Sequence, residues 1–153
     1  LSIFHSLNTS ASALTAQRLR MDVISSNMAN IETTRGKMVD GEWQPYRRKT
    51  VTFQPREGQF SSMLHAAVGK QSKGSAGYGV TISSVKEDTE TPFQLVYNPS
   101  HPDANQDGYV QMPNVDPLRE MIDLMSATRS YEANVTVLNA NKAMLMKALD
   151  IGK

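Results

Sequence analysis

Hydrophobic positions follow a helical period at both ends of the chain and an alternating period in between. From Met121, alternating steps of three and four residues reach Leu124, Thr128, Tyr131, Val135, Leu138, Lys142, Leu145 and Leu149, and seven of these nine positions are apolar or aromatic. This is a heptad seam that needs a partner along its length. Asp116 can accept from free N–H groups, Pro117 fits a first turn, and Gly152 supplies a stop. One helix is therefore expected over 114–153, about 50 Å long at about 1.5 Å per residue. At the other end the same stepping from Phe4 joins Leu7, Ala11, Leu14, Arg18, Met21, Ser25 and Met28, and taking Ile24 in place of Ser25 carries the seam on to Ile31; no Gly or Pro falls in the first thirty-five residues. A lone amphipathic helix is unstable in water unless its stripe is covered. Packing of the two terminal seams against each other predicts a mainly α fold with a small β module, its N- and C-terminal long helices forming a coiled-coil-like core.

The chain divides into a first helix over 1–33, a middle over 34–113 and a second helix over 114–153. In the middle, Val51 and Phe53 alternate with Thr50 and Thr52, as do Tyr78, Val80 and Ile82, then Phe93, Leu95 and Tyr97 with their neighbours; Tyr109 to Met112 makes a fourth run, ended by Pro113. Four short strands give a small antiparallel module with a meagre core. Phe60, Met63, Leu64 and Ala67 suit a short helix, and the glycine-rich stretch 69–79 reads as a mobile loop.

Charge and candidate chemistry narrow the picture. Sixteen basic and fifteen acidic residues nearly cancel, and the basic ones are scattered apart from Arg47-Arg48-Lys49, so neither nucleic acid nor an acidic membrane surface is the expected partner. No apolar run is long enough to span a membrane and no cleaved signal peptide is apparent. The absence of cysteine excludes disulfides, thiol catalysis and Cys-ligated metals. His5, His65 and His101 lack ligand spacing, and no Ser/His/Asp set or P-loop occurs, so no enzyme, no cofactor and no metal site is expected. Asp103, Asn105, Asp107 and Gly108 match the opening of a calcium loop. Position twelve is Asn114 instead of a bidentate Glu, and Pro102 and Pro113 stand where an EF-hand needs helices, so an Asp-Gly turn into a strand is the better reading.

A sharper signal lies at the end of the first helix. Ser25, Ser26, Asn27, Met28, Ala29, Asn30 and Thr33 put small and amide side chains at a helix end or a crowded helix contact. This run resembles the amino-terminal signature of the bacterial flagellar rod and hook axial proteins. Glu120-Met121 and Arg129-Ser130-Tyr131-Glu132-Ala133-Asn134 are similar to the carboxy-terminal signatures of the same family. The resemblance implies a structural rod subunit that assembles with copies of itself and with other rod proteins into the drive shaft of the flagellum. It implies that both terminal helices form an inner axial core with the middle module outside, and that the chain passes unfolded through the flagellar type III export apparatus into the periplasm. The MS-ring and the adaptor protein at the rod base are implied neighbours. Asn27, Asn30, Glu120, Arg129, Glu132 and Asn134, at the matching motif positions, are implied polar contacts between helices or subunits. The seam residues Leu14, Met21, Leu124, Tyr131, Val135, Leu138 and Leu145 are the expected apolar assembly contacts. The reading from seams alone also admits a cytoplasmic helical adaptor that binds partner helices.

Overall fold

The computed structural model describes residues 3–56 and 79–152. The elements run α1 (Ile3–Ala29), β1 (Lys37–Val39), β2 (Glu42–Gln44), β3 (Lys49–Pro55), β4 (Val80–Glu87), β5 (Gln94–Tyr97), β6 (Tyr109–Met112) and α2 (Pro117–Ile151). The fold is mainly α with small antiparallel sheets in the middle, as the two periodicities predicted. Three two-stranded sheets pair β1 with β2, β3 with β4, and β5 with β6. The expected short helix over 60–67, Tyr78 and most of the glycine-rich stretch lie outside the described residues.

Local chemistry sets the helix ends. Asp116 Oδ1 accepts from the Leu118 N–H at 3.0 Å and Asp116 O from the Glu120 N–H at 3.0 Å, with Pro117 in the first turn. Asn30 closes α1: its Nδ2 donates to Ser26 O at 2.8 Å and its Oδ1 accepts from Thr33 Oγ1 at 3.1 Å. A hairpin that the alternation did not reveal joins β1 to β2 through Asp40 (φ 54°) and Gly41 (φ 87°). Positive φ at both central residues matches the right-handed twist of the flanking strands, and Asp-Gly tolerates it.

The chain clusters into two compact units. The first holds residues 1–19, 52–84 and 127–153; the second holds 20–51 and 85–126. In the first, the buried side chains among the described residues are small or polar: Ser10, Ala16, Ala127 and Asn141. Asn141 Nδ2 donates to Ser6 Oγ at 2.8 Å, joining the two helices there. Ser12 Oγ donates to Thr9 O at 2.7 Å and accepts from the Val80 N–H at 3.1 Å, fastening β4 to α1. Gly79 makes that approach possible, since a Cβ there would lie 2.2 Å from Ser12 Oγ and the backbone stands at φ +110°. In the second unit Ile24, Val110 and Val115 form the apolar core, and the two helices run antiparallel, Arg20 facing Asp123 and Asn27 facing Glu120.

The buried line of each helix corrects the phase of the expected seam. On α2, Glu120, Ala127 and Asn141 are buried and Asn134 is partly buried, one heptad apart, alternating with partly buried Leu124, Tyr131, Leu138 and Leu145. Met121, Lys142 and Leu149 are exposed instead. On α1 the line passes through Ser10, Ile24 and Asn27, while Phe4, Ala11 and Arg18 are exposed. Small and amide side chains let helices approach closely and fix register, so one of the two seam rows is polar.

Candidate functional site

The second unit contains a buried polar cluster where the end of α1, the start of β3 and the start of α2 meet. Asn27 uses its full bonding capacity. Its Nδ2 donates to Lys49 O at 2.9 Å and to Glu120 Oε2 at 3.0 Å; its Oδ1 accepts from the Lys49 N–H at 2.9 Å and from Tyr46 Oη at 3.0 Å. The side chain acts as a piece of strand backbone, holding both peptide groups of Lys49. Asn114 does the same one residue earlier: its Oδ1 accepts from the Arg48 N–H at 2.8 Å, and its Nδ2 donates to Asp88 O and Thr91 O, both at 3.0 Å.

Charge follows the same geometry. Glu120 is fully buried, and Arg48 Nε donates to its Oε1 while Asn27 holds its Oε2. Arg48 also reaches Asp123 at 3.3 Å, and Arg20 meets the other oxygen of Asp123 at 3.0 Å. Two acids on α2 thus meet two arginines, one from α1 and one from the start of β3, so no carboxylate is buried unpaired. The basic run seen in the sequence divides its labour: Arg47 lies 4.4 Å over the Phe93 ring, Arg48 enters the cluster, and Lys49 lies 5.5 Å over the Tyr46 ring.

The D-x-N-x-D-G stretch is committed to turn chemistry. Thr34 Oγ1 donates to Asp103 Oδ2 at 2.7 Å, and Arg35 forks onto Oδ1. The Arg35 hydrogen bond first, then that of Thr34, holds the Asp103 carboxyl below the usual aspartate range. Asn105 Oδ1 accepts from the Asp107 and Tyr109 N–H groups at 3.1 and 2.8 Å, and Gly108 takes φ +79°. Asp103 and Asn105, which a calcium ion would need, are spent on side-chain and backbone donors.

The other expected contact residues are placed as follows. Asn134 donates to Ser130 O within its own helix, and Asn30 caps α1. Arg129 and Glu132 stand exposed on α2, and neither forms an ion pair among the described residues. Leu14, Met21, Leu124, Tyr131, Val135, Leu138 and Leu145 are partly buried. Arg20, Arg48, Tyr46, Asn114, Asp123 and Asn141 escaped the sequence reading. The one available signal was the basic run immediately before a strand.

Two long helices held in register by polar contacts, with large apolar side chains left at the surface, are the build of a structural protein whose chemistry is contact with neighbours. Residues 7–36 match the sequence profile described as flagella basal body rod protein, and residues 106–151 match that of the flagellar basal body rod FlgEFG protein C-terminal region. Asn27 and Glu120 thus both lie in matched segments. The flagellar basal-body rod protein FlgC of Bacillus subtilis (strain 168) is 63% identical, covering 98% of each chain. The proteins of that name from Borreliella burgdorferi and Salmonella typhimurium are each 42% identical, covering 97% and 100% of both chains respectively. The chain belongs to the FlgC family of flagellar basal-body rod proteins, which are structural subunits and not enzymes.

Proposed function

We propose that this chain assembles through its terminal helices, with copies of itself and with other rod subunits, into the shaft that carries motor torque to the hook. In this reading the helices of 1–33 and 114–153 form a coiled-coil-like axial core, the 34–113 module lies outside it, and the buried polar cluster fixes the register of the helix pair. The implied route is type III export to the periplasm, with the MS-ring and its adaptor protein as neighbours at the rod base. Arg129 and Glu132 are the polar groups offered to adjoining subunits, and Leu14, Met21, Leu124, Tyr131, Val135, Leu138 and Leu145 line the helix contacts.

The observation that supports this most is the apolar surface of α2. Val137, Met144, Met146, Leu149 and Ile151 are each about half exposed or more, on a helix whose buried line is partly polar. Large apolar side chains exposed on more than one side of a helix mark it for contact with neighbours. Met144→Glu tests the reading. The variant chain is expected to unfold at the same temperature as the parent yet to fail to restore swimming to cells lacking the parent protein. Normal swimming would overturn the proposed role of the helix.

A further inference from the structure

The β5–β6 hairpin in the second unit presents an apolar face that its own chain leaves open. Its register sets Val96 opposite Val110 and Leu95 opposite Gln111, with Tyr97 opposite Tyr109. Val110 is 1% exposed, so on that face β6 turns to the core, while Val96 on β5 stays 45% exposed. The opposite face would be polar if water were its destination. It carries Leu95 (66% exposed), Tyr97 (65%) and Tyr109 (44%), with the two tyrosine rings in edge contact at 5.3 Å. The same unit has a second open patch on the first turns of α2. Leu118 (71% exposed), Ile122 and Met125, spaced four and three apart, form a stripe on the side of the helix away from Glu120 and Leu124.

The charges left over around these patches are of opposite sign. Asp107 is exposed in the turn of the hairpin and Glu90 in the segment that leads into it, whereas Asp88 is engaged by Thr91 and Asp103 by Arg35; Lys86 and Glu87, at the end of β4, are both exposed and offset one another. On the helix, Glu120 and Asp123 are paired by Arg48 and Arg20, and the exposed Asp116 caps the Leu118 N–H, which leaves Arg119 as the exposed base beside the stripe. Two hairpin faces would bring acid against acid, which disfavours a two-fold contact. A hairpin face against the helix stripe of another copy brings apolar surface to apolar surface and acid to base.

We infer that the hairpin face Leu95, Tyr97 and Tyr109 of one copy docks on the Leu118, Ile122 and Met125 stripe of the next, with Asp107 facing Arg119. The contact is head-to-tail, so repetition does not stop at a pair, and with a rotation that does not close it generates an open helical array. It rests on the rod reading and adds an interface between the middle module of one copy and the start of α2 in the next.

The chain has no cysteine, which makes the test direct. Tyr97→Cys and Ile122→Cys are introduced singly and together into the full chain, expressed in cells lacking the parent protein, and basal bodies are purified and oxidised. The double variant should give a ladder of cross-linked multimers, and neither single variant should. A second pair, Leu95→Cys with Leu118→Cys, should behave alike. Asp107→Arg added to the double variant should reduce the ladder several-fold, and Arg119→Asp should restore it. Incorporation of both pairs without a ladder overturns the inference while leaving the rod reading standing, as does a single variant that dimerises or a cross-link to a different protein alone. Absence of the unsubstituted chain from purified basal bodies overturns the rod reading itself, and this contact with it.

Discussion

The two units solve the same packing problem in different ways. In the second, apolar residues of ordinary size, Ile24, Val110 and Val115, share the interior with Asn27, Asn114 and Glu120, each polar group fully engaged. In the first, the buried side chains among the described residues are alanine, serine and asparagine, and a neutral amide-to-hydroxyl bond, Asn141 to Ser6, joins the helices. The difference shows where each unit obtains its stability. Hydrogen bonds and paired charges inside one chain give the buried Asn27, Asn114 and Glu120 of the second unit partners of their own, whereas the alanine-sized contacts of the first bury little apolar area. A unit of the latter kind gains most when neighbours cover its exposed Val137, Met144 and Leu149.

Breaking the charge cluster should have the largest effect. Glu120→Ala takes one partner each from Arg48, which keeps Asp123, and from Asn27, and a buried pair broken on one side costs about 3–5 kcal/mol. Urea denaturation of the purified chain should show a loss of that order. A loss below about 1 kcal/mol would mean that the cluster does not hold the second unit. Next comes Gly79→Ala in the first unit, where the new methyl meets Ser12 Oγ at a backbone φ of +110°. The expected cost is about 1–3 kcal/mol, and the Ser12→Ala background should return part of it by making room. Asn141→Ala should cost less, about 1 kcal/mol, because one neutral hydrogen bond is lost. If it destabilised the chain as much as Glu120→Ala, the contrast between the units would fail.

The smallest effect is one of pH. Asp88 is held below the usual aspartate range by hydrogen bonds from the Thr91 backbone and side chain, and Asp103 by Arg35 and Thr34. A carboxyl whose folded pKa is depressed contributes stability that is complete above its unfolded value and disappears as pH falls through the folded value. The urea midpoint should therefore change little through these two groups between about pH 5 and 8 and fall below about pH 4. Asp103→Asn should flatten part of that fall, and an unchanged profile in that variant would remove Asp103 from the account.

Much of the architecture was legible in residue order. The heptad steps located both helices, Asp116-Pro117 set the start of α2, and alternation found β3, β5 and β6 to within a residue or two. The β1–β2 hairpin was missed because its strands are three residues each, too short for alternation to register. Its only mark was Asp40-Gly41, a dipeptide suited to a turn with positive φ. Of the site, Asn27 and Glu120 were singled out by their motif, but their partners were not. Arg48 is one of three consecutive basic residues, and nothing local distinguishes the one that turns inward.

The seam shows the division most clearly. Apolar spacing by itself determined that each helix has a covered face, and it placed Leu124, Tyr131, Leu138 and Leu145 on that face of α2. It favoured Met121 and Leu149 for the alternate row because large side chains weigh most in an apolar pattern, and both are exposed. Tertiary structure chose Glu120, Ala127, Asn134 and Asn141 instead. A helix can bury a carboxylate or an amide only where another segment supplies the hydrogen-bond partners, and those partners, Arg48 and Asn27 as donors to Glu120 and Ser6 as acceptor from Asn141, come from residues far away in sequence. The chain's own order determined the elements and their ends; the convergence of distant polar groups decided which face each helix turns inward and which apolar surface remains for other subunits.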